Sequence, residues 1–239
     1  MGWRLIDTDI ADPYYVTAAD DAIAQARKQD KVPNTLHFYR RHLPCISVGR
    51  SRKIEEDIDL KLCRKHNVKI VRRTTGGGTI YTDKGCLIYG LIFGNKGDTS
   101  LETTFKNICS SVVSALERLN IHTTYKKPND ILLHGKKISG SAQVKKDNIT
   151  LIHGTLLVDT NLELMNNVLK NSKNTQVSTL ARESTNTPSI KDLKEALKIE
   201  FEKHFNSKIK KGNFTSHEQY LIEKLINERY TNDKWTFMR

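Results

Sequence analysis

Runs of β-branched and aromatic residues alternate with stretches of helical periodicity along this chain, and the strand-like runs come first. Residues 3–7 read as a short strand, Leu36-His37-Phe38-Tyr39-Arg40 as another and Cys45-Ile46-Ser47-Val48-Gly49 as a third. Between them, Ala18 to Arg27 sets Ala, Ile and Ala at helical spacing, with Thr17 as the candidate N-cap. Glu55 to His66 reads as an amphipathic helix, followed by strands Val68-Lys69-Ile70-Val71 and Thr79-Ile80-Tyr81 on either side of a glycine bend. Cys86 to Phe93 is apolar and uncharged, the pattern of a buried central strand. Thr103 to Leu119 places Phe105, Ile108, Val112, Val113 and Leu116 near the 3.6-residue period and is the clearest helix. Asp130–Leu133, Lys137–Gln143 (interrupted by Gly140) and Ile149–Leu157 read as strands, the first two joined by a tight turn at His134-Gly135-Lys136. Residues 161–171, 189–205 and 214–229 read as helices, and the Ser-, Thr- and Asn-rich stretch Asn171 to Pro188 as a loop.

Strands that cluster early, helices that come late and no regular βαβ alternation predict an α+β fold: a mixed, largely antiparallel sheet flanked by helices. At 239 residues and 37% hydrophobic, one domain over 1–239 can bury a substantial core. No apolar run approaches the roughly 18 residues of a membrane span, and the first residues lack a signal-peptide core. The expected setting is cytoplasmic, without a membrane. Cys45, Cys63, Cys86 and Cys109 are widely separated and form no CxxC pair, so they are expected as reduced thiols rather than a zinc site or disulfide framework. A net charge of +12 suits an acidic partner or a solvated lysine-rich surface. No aromatic–basic interleaving of an RNA-binding kind is present, so nucleic acid is not the expected partner.

The most informative stretch is Arg72-Arg73-Thr74-Thr75-Gly76-Gly77-Gly78-Thr79-Ile80-Tyr81. Three consecutive glycines weaken a strand, but they permit positive φ and close approach of backbone amides to a ligand. Two arginines beside them make a candidate cradle for a phosphate or carboxylate; a glycine-rich hairpin with solvated arginines is the alternative. A P-loop requires Gly-Lys-Ser/Thr leading into a helix, and a Rossmann fingerprint requires glycines that open one. Here a β-branched, aromatic run follows, so the unit is strand–bend–strand.

Three further features carry chemistry. Asn129-Asp130 opens a strand, as turn chemistry or as a carboxylate for a metal or nucleotide hydroxyl. In Lys136-Lys137-Ile138-Ser139-Gly140-Ser141-Ala142, strict alternation would send Lys137, Ser139 and Ser141 to one face, where a ligand could lie across the sheet. His153-Gly154 interrupts an apolar strand, either as a hydrogen-bonded core histidine or as the wall of a ligand cavity.

In order and spacing, Arg72-Arg73 with Thr75-Gly76-Gly77-Gly78 and Tyr81, then Asn129-Asp130-Ile131, then Gly135-Lys136-Lys137-Ile138-Ser139-Gly140-Ser141-Ala142, then His153-Gly154-Thr155-Leu156-Leu157 resemble the lipoate–protein ligase family. Trp3-Arg4-Leu5-Ile6 and Asn34 to Tyr39 fit as well, so the resemblance spans residues 3–237. It implies the fold shared by biotin ligases and class II aminoacyl-tRNA synthetases. It also implies a two-step reaction: lipoate and ATP give lipoyl-AMP, and an acceptor lysine then displaces AMP. The implied acceptors are lipoyl domains of 2-oxo acid dehydrogenase acyltransferase subunits and the glycine-cleavage H protein. Lys137 becomes the expected catalytic cation, bridging acyl and phosphate oxygens. Arg73, Thr75, Gly76, Gly77, Gly78 and Tyr81 would hold the acyl–phosphate end, with Ser139, Gly140, Ser141 and Ala142 beside them. Asn129 and Asp130 would lie at the nucleotide, Asp130 reaching Mg2+ through it, and His153 with Gly154 would line the lipoyl tunnel.

Some positions depart from that pattern. Thr82-Asp83 stands where many ligases have His-Asp, and Thr75 where Ser is common. Well-studied bacterial ligases continue into a C-terminal accessory domain that this chain lacks, so a separate accessory subunit is expected. The rival within the same fold is an octanoyltransferase or amidotransferase that needs no ATP and works through a cysteine thioester. In those relatives the cysteine precedes the strand that here begins at Asn129-Asp130, and His122 to Lys127 contains none. A biotin ligase is disfavoured by the absence of a Gly-Arg-Gly-Arg-like loop.

Overall fold

The computed structural model describes residues 2–95, 99–170 and 176–238. The chain opens with β1 (Trp3–Ala11), α1 (Pro13–Lys28), β2 (Asn34–Arg41) and β3 (Cys45–Val48). Short helices α2 (Ile54–Asp57) and α3 (Leu60–Lys65) lead to β4 (Lys69–Arg72), β5 (Ile80–Thr82), β6 (Cys86–Gly94) and α4 (Leu101–Glu117). Next come β7 (Thr124–Lys126), β8 (Asp130–Leu133), β9 (Lys136–Lys146), β10 (Ile149–Leu157), α5 (Leu162–Val168) and α6 (Leu180–Glu183). α7 (Ile190–His204), β11 (Ile209–Lys211), α8 (Ser216–Leu225), a π-helical turn (Ile226–Tyr230) and α9 (Asp233–Thr236) complete it.

Eight strands form one sheet in the order β11-β1-β2-β6-β10-β9-β8-β7. β1 runs parallel to β2 and β11, and every pairing from β2 to β7 is antiparallel, as the α+β pattern predicts. The sheet is covered on both faces because its central strands are apolar at successive positions. Leu87, Tyr89 and Leu91 of β6 pack with Ile108, Val112, Leu197 and Phe201 of α4 and α7. Ile92, one residue out of phase, packs with Ile6, Ile23 and Leu151 on the α1 side. Burying such side chains stabilises the fold by about 1.5–3 kcal/mol each. A smaller sheet, β4-β3-β5, packs through Ile46, Val48 and Tyr81 on Ile54, Met165 and Val168.

Several local expectations are corrected. α1 starts at Pro13, capped by Asp12, whose carboxylate accepts from the amides of Tyr14 (2.8 Å) and Tyr15 (3.2 Å). Thr17 lies inside the helix, its hydroxyl donating to the Pro13 carbonyl at 2.7 Å. Asp-Pro is the stronger start signal, because Pro at N1 gives up no amide. The single helix expected over 55–66 is two: Ile58 is extended and bridges Leu169, and Asp59 caps α3. The strands around the glycines are not a hairpin. β4 and β5 pair with opposite edges of β3, in parallel and antiparallel sense. The loop expected over 171–188 contains α6; its first five positions, 171–175, lie outside the described residues. The turn between β8 and β9 is as read, with positive φ at both His134 and Gly135.

Candidate functional site

The glycine bend is built from inside. Arg73 is buried, and its guanidinium donates to Thr75 Oγ1 (3.0 Å), the Ser47 carbonyl (2.7 Å) and the carbonyls of Gly76 (2.8 Å) and Gly78 (2.7 Å). Trans peptide geometry therefore turns the N–H groups of Gly77 and Thr79 away from Arg73. Gly77 takes φ 87°, open to glycine and strained for other residues. Arg72 is also turned into the protein, donating to the carbonyls of Gly49, Arg50, Arg52 and Thr236. Both cations thus shape the bend from behind and do not project from it.

The C-terminal segment holds the first leg of the bend. Trp235 Nε1 donates to the Arg72 carbonyl at 2.8 Å, and Arg229 and Arg50 stack on the Trp235 ring, 4.6 and 5.3 Å from its centre. Arg229 also bridges to Asp21 (2.9 Å), which accepts the Thr74 hydroxyl (2.7 Å) and the Tyr230 hydroxyl. Burial raises the Asp21 carboxyl, against the lowering by Tyr230, Thr74 and Arg229.

Lys137 sits at the end of β9, where the alternation read from the sequence breaks. Asp130, Ile131 and Leu132 pair with Gly140, Ser139 and Lys137, so Ile138 is an extra residue, a bulge. It puts Lys137, Gly140 and Ala142 towards the cavity, while the Ser141 hydroxyl turns to the helix-covered face, 3.1 Å from the Tyr89 hydroxyl. The expected common face for Lys137, Ser139 and Ser141 is therefore corrected. The backbone lost to the bulge is recovered by residues 176–178: the Lys137 amide donates to the Gln176 carbonyl (2.8 Å), and the Ser178 amide to the Lys137 carbonyl (2.9 Å). The Lys137 ammonium reaches Asp130 Oδ1 at 2.6 Å over Gly140. A Cβ on Gly140 would stand 3.0 Å from Lys137 Nζ.

Two cavities meet at this ammonium. The larger, about 400 Å3, is lined by Arg52, Asp57, Tyr81, Ser139, Leu157 and Met165 among others. The smaller, about 160 Å3, is lined by Tyr39, Arg41, Arg73, Gly77, Asn129, Ser141, Ala142, His153 and Gly154 among others. Gly78, Thr79, Ile80, Lys137, Gly140 and Thr155 border both. Lys137 therefore lies beneath the glycine bend at a junction. Of the predicted residues, Thr75, Gly76 and Asp130 border neither cavity: Thr75 lies behind His153, and Asp130 acts through Lys137. Among the described residues no three His, Cys, Asp or Glu side chains gather as metal ligands. No helix there is long and apolar enough to cross a membrane.

His153 is both a cavity wall and a hydrogen-bonded residue. Its Nδ1 faces Asp20 Oδ2 at 3.2 Å and its Nε2 faces Thr75 Oγ1 at 2.8 Å. Asp20 also accepts from His37 Nδ1 and the Tyr39 hydroxyl, each at 2.9 Å. Burial alone would raise the Asp20 carboxyl, but hydrogen bonds from His153 and His37 hold it well below the ordinary range. An ionised Asp20 fixes the proton on His153 Nδ1, so the chain Asp20–His153–Thr75–Arg73 ties α1 to the bend. Gly154 borders the smaller cavity, as expected, while the space its missing side chain leaves is taken by protein: a Cβ there would meet the Tyr89 hydroxyl at 2.2 Å.

Sequence reasoning missed Asp20, Arg41, Arg52 and Asp57. The first had a signal: the acidic pair Asp20-Asp21 interrupts the apolar residues that α1 buries. Asp57 accepts from Arg52 and Thr79 at the rim of the larger cavity, across loops that local periodicity does not connect. All four cysteines are buried and unpaired, and none borders either cavity. Burial pushes the Cys63 and Cys109 thiols up to about 11 and raises those of Cys45 and Cys86.

The profile of the lipoyl protein ligase A/B catalytic domain matches residues 12–202. An octanoyltransferase LipM of Geobacillus kaustophilus is 26% identical over 99% of this chain and 98% of its own length. Lipoate–protein ligase 1 of Staphylococcus aureus is 29% identical over 82% of this chain and 62% of its own length. Among solved structures, a lipoate protein ligase of Thermoplasma acidophilum with bound lipoic acid superposes with TM-score 0.89 and 25% identity, covering both chains fully. A lipoate-protein ligase A bound with ATP gives 0.90 at 25% identity over 99% of both chains. The sheet, its helices and the smaller subsheet are those of the class II synthetase-like fold of these neighbours.

Proposed function

The chain belongs to the lipoyl protein ligase A/B catalytic-domain family, enzymes that attach lipoyl or octanoyl groups, and from that premise we propose that it passes an activated medium-chain acyl group to a lysine of an acceptor protein at the Lys137 junction. The observation that carries this is the meeting of two cavities at one ammonium. The smaller takes the acyl chain, the larger takes the group that activates it, and the reacting bond lies between them.

The activated donor is an acyl-adenylate. The acid's carboxylate oxygen attacks the α-phosphorus of ATP and pyrophosphate leaves; the acceptor amine then attacks the acyl carbon, loses its proton, and AMP leaves. Negative charge develops beside Lys137 in both steps, where a fixed cation lowers the barrier most. Asp130 holds that cation in place at 2.6 Å and leaves it 29% exposed to the cavity. Mg2+ would accompany the triphosphate and neutralise its charge. Asp130, expected at the Mg2+, borders neither cavity and is paired with Lys137; Asp57 is the carboxylate that lines the larger cavity, and one such group suits a cation that keeps mostly water and phosphate oxygens as ligands. The net charge of +12 favours an acidic acceptor, of which lipoyl domains and the glycine-cleavage H protein are the candidates. A separate accessory subunit belongs to the same reading.

One observation favours a second reading. Curated relatives that match 99% of the chain are named octanoyltransferases, which weighs towards a thioester donor and no ATP. Against a cysteine intermediate stand four buried thiols, none of them on a cavity wall. Mass spectrometry of a purified lipoyl domain separates the two. The domain is incubated with this chain and either octanoate or lipoate with Mg-ATP, or octanoyl-acyl carrier protein without ATP, with and without an accessory subunit. The adenylate reading expects acylation from the free acid with ATP, undiminished when all four cysteines are replaced by alanine. Acylation from the thioester alone would reject it.

A further inference from the structure

Resting on that acyl-transfer reading, we propose that Trp235 is a positioning residue for the reaction: from the C-terminal segment it locks the first leg of the glycine bend, and so sets where the bend meets the junction at Lys137. The bend needs such a lock. β4 is the edge of the smaller sheet, and its pairing ends at Arg73, whose amide donates to the Val48 carbonyl at 3.0 Å. β5 begins only at Ile80, so no strand ladder holds residues 74–79.

Three routes lead from that leg to one indole ring. Trp235 Nε1 donates to the Arg72 carbonyl at 2.8 Å, and Arg72 Nε returns a bond to the Thr236 carbonyl at 2.9 Å. Arg50 stacks on the ring, 5.3 Å from its centre, and its own amide donates to the Thr75 carbonyl at 3.0 Å. Arg229 stacks at 4.6 Å and bridges at 2.9 Å to Asp21, which accepts the Thr74 hydroxyl at 2.7 Å. Arg72, Thr74 and Thr75 are thus tied to a residue some 160 positions away in the chain.

Core packing does not account for Trp235. It is half-buried in the four-residue helix α9 and joins none of the apolar clusters of the described residues. Its partners are a carbonyl and two guanidiniums, which an indole meets with its N–H edge and its electron-rich face. What it holds is part of both cavities: Gly77 lines the smaller, and Gly78 and Thr79 border the two. Lys137 comes from a different sheet, on β9. A shift of the first leg therefore moves the bend relative to the ammonium, and a misplacement of about 1 Å costs on the order of 100-fold in rate.

Trp235→Phe keeps a ring for Arg50 and Arg229 and removes only the Nε1–H donor. Hydrogen–deuterium exchange of the intact chain, without ligand, should show residues 74–79 exchanging about tenfold faster while β6 keeps its protection. Acylation of a lipoyl domain is then followed over a single turnover, with the donor that the wild type uses and with enzyme in saturating excess. Under those conditions the rate constant does not depend on the folded fraction. It should fall about tenfold in Trp235→Phe and towards 100-fold in Trp235→Ala. Should Trp235→Ala fail to fold, Trp235→Phe decides. Leu197→Val, in the core under α7, should lower the melting temperature yet leave the rate constant and the exchange of 74–79 as in wild type. Unchanged exchange at 74–79 in Trp235→Phe, faster exchange there only in step with β6, or a loosened bend that transfers at the wild-type rate would each overturn the proposal and leave the transfer reading standing. A wild-type chain that acylates nothing would refute the transfer reading, and bend-confined exchange in Trp235→Phe would then uphold the lock by itself.

Discussion

Gly140→Ala separates the position of Lys137 from its presence. The added methyl would stand 3.0 Å from both Cε and Nζ of Lys137 and 3.4 Å from Asp130 Oδ1. Comfortable contact distances are about 3.5–4.0 Å, so the ammonium must move by about 0.5–1 Å. Gly140 has no positive φ, so alanine fits its backbone, and the displaced atoms end a flexible side chain. Reduced freedom of the unfolded chain contributes about 0.4–1 kcal/mol in favour of alanine, which offsets the crowding. Stability should therefore stay within about 1 kcal/mol of wild type. A misplacement approaching 1 Å at a reacting centre costs on the order of 100-fold in rate. The assay is single-turnover acylation of a lipoyl domain by mass spectrometry, with Lys137→Met as the floor and thermal melting in parallel. A Gly140→Ala enzyme at wild-type rate, with Lys137→Met inactive, would refute the claim that this ion pair sets the geometry. So would a loss of rate that only mirrors a loss of folded protein.

Asp20→Asn should destabilise the fold by about 3–5 kcal/mol, because His37, His153 and Tyr39 lose one buried ionised acceptor; urea unfolding reads this directly. Its carboxyl is held below the ordinary 3.8, so its contribution is present above that value and lost as pH falls through the lowered one; the variant should show a flatter acid limb, and an unchanged limb would reject the assignment. Gly154→Ala should cost about 1–3 kcal/mol by overpacking against Tyr89. Tyr89→Leu added to it should recover part of that loss in melting experiments, and full additivity would show that the two residues do not meet.

The pattern of apolar residues determined much of this protein by itself. Strands such as Ile149–Leu157 and helices such as α4 follow from side-chain periodicity, which is local. The Gly76–Gly78 bend, Lys137 and His153 were legible as chemistry because glycine runs and charged or ring side chains inside apolar strands are conspicuous in any context. Tertiary structure decided where these groups point. Arg73 reads as a ligand-facing cation, yet carbonyls of β3 and of the bend itself absorb its donors. Ser141 reads as a partner of Lys137, yet one bulged residue reverses its face. Gly154 reads as space for a ligand and does border the smaller cavity, yet the room left by its missing side chain is taken by Tyr89 from the neighbouring strand. The partners of Asp20 come from β2 and β10, and the smaller cavity is bounded by both sheets. Hydrogen-bond partners and cavities arise between segments distant in the chain, and a local pattern carries no record of which segments will meet.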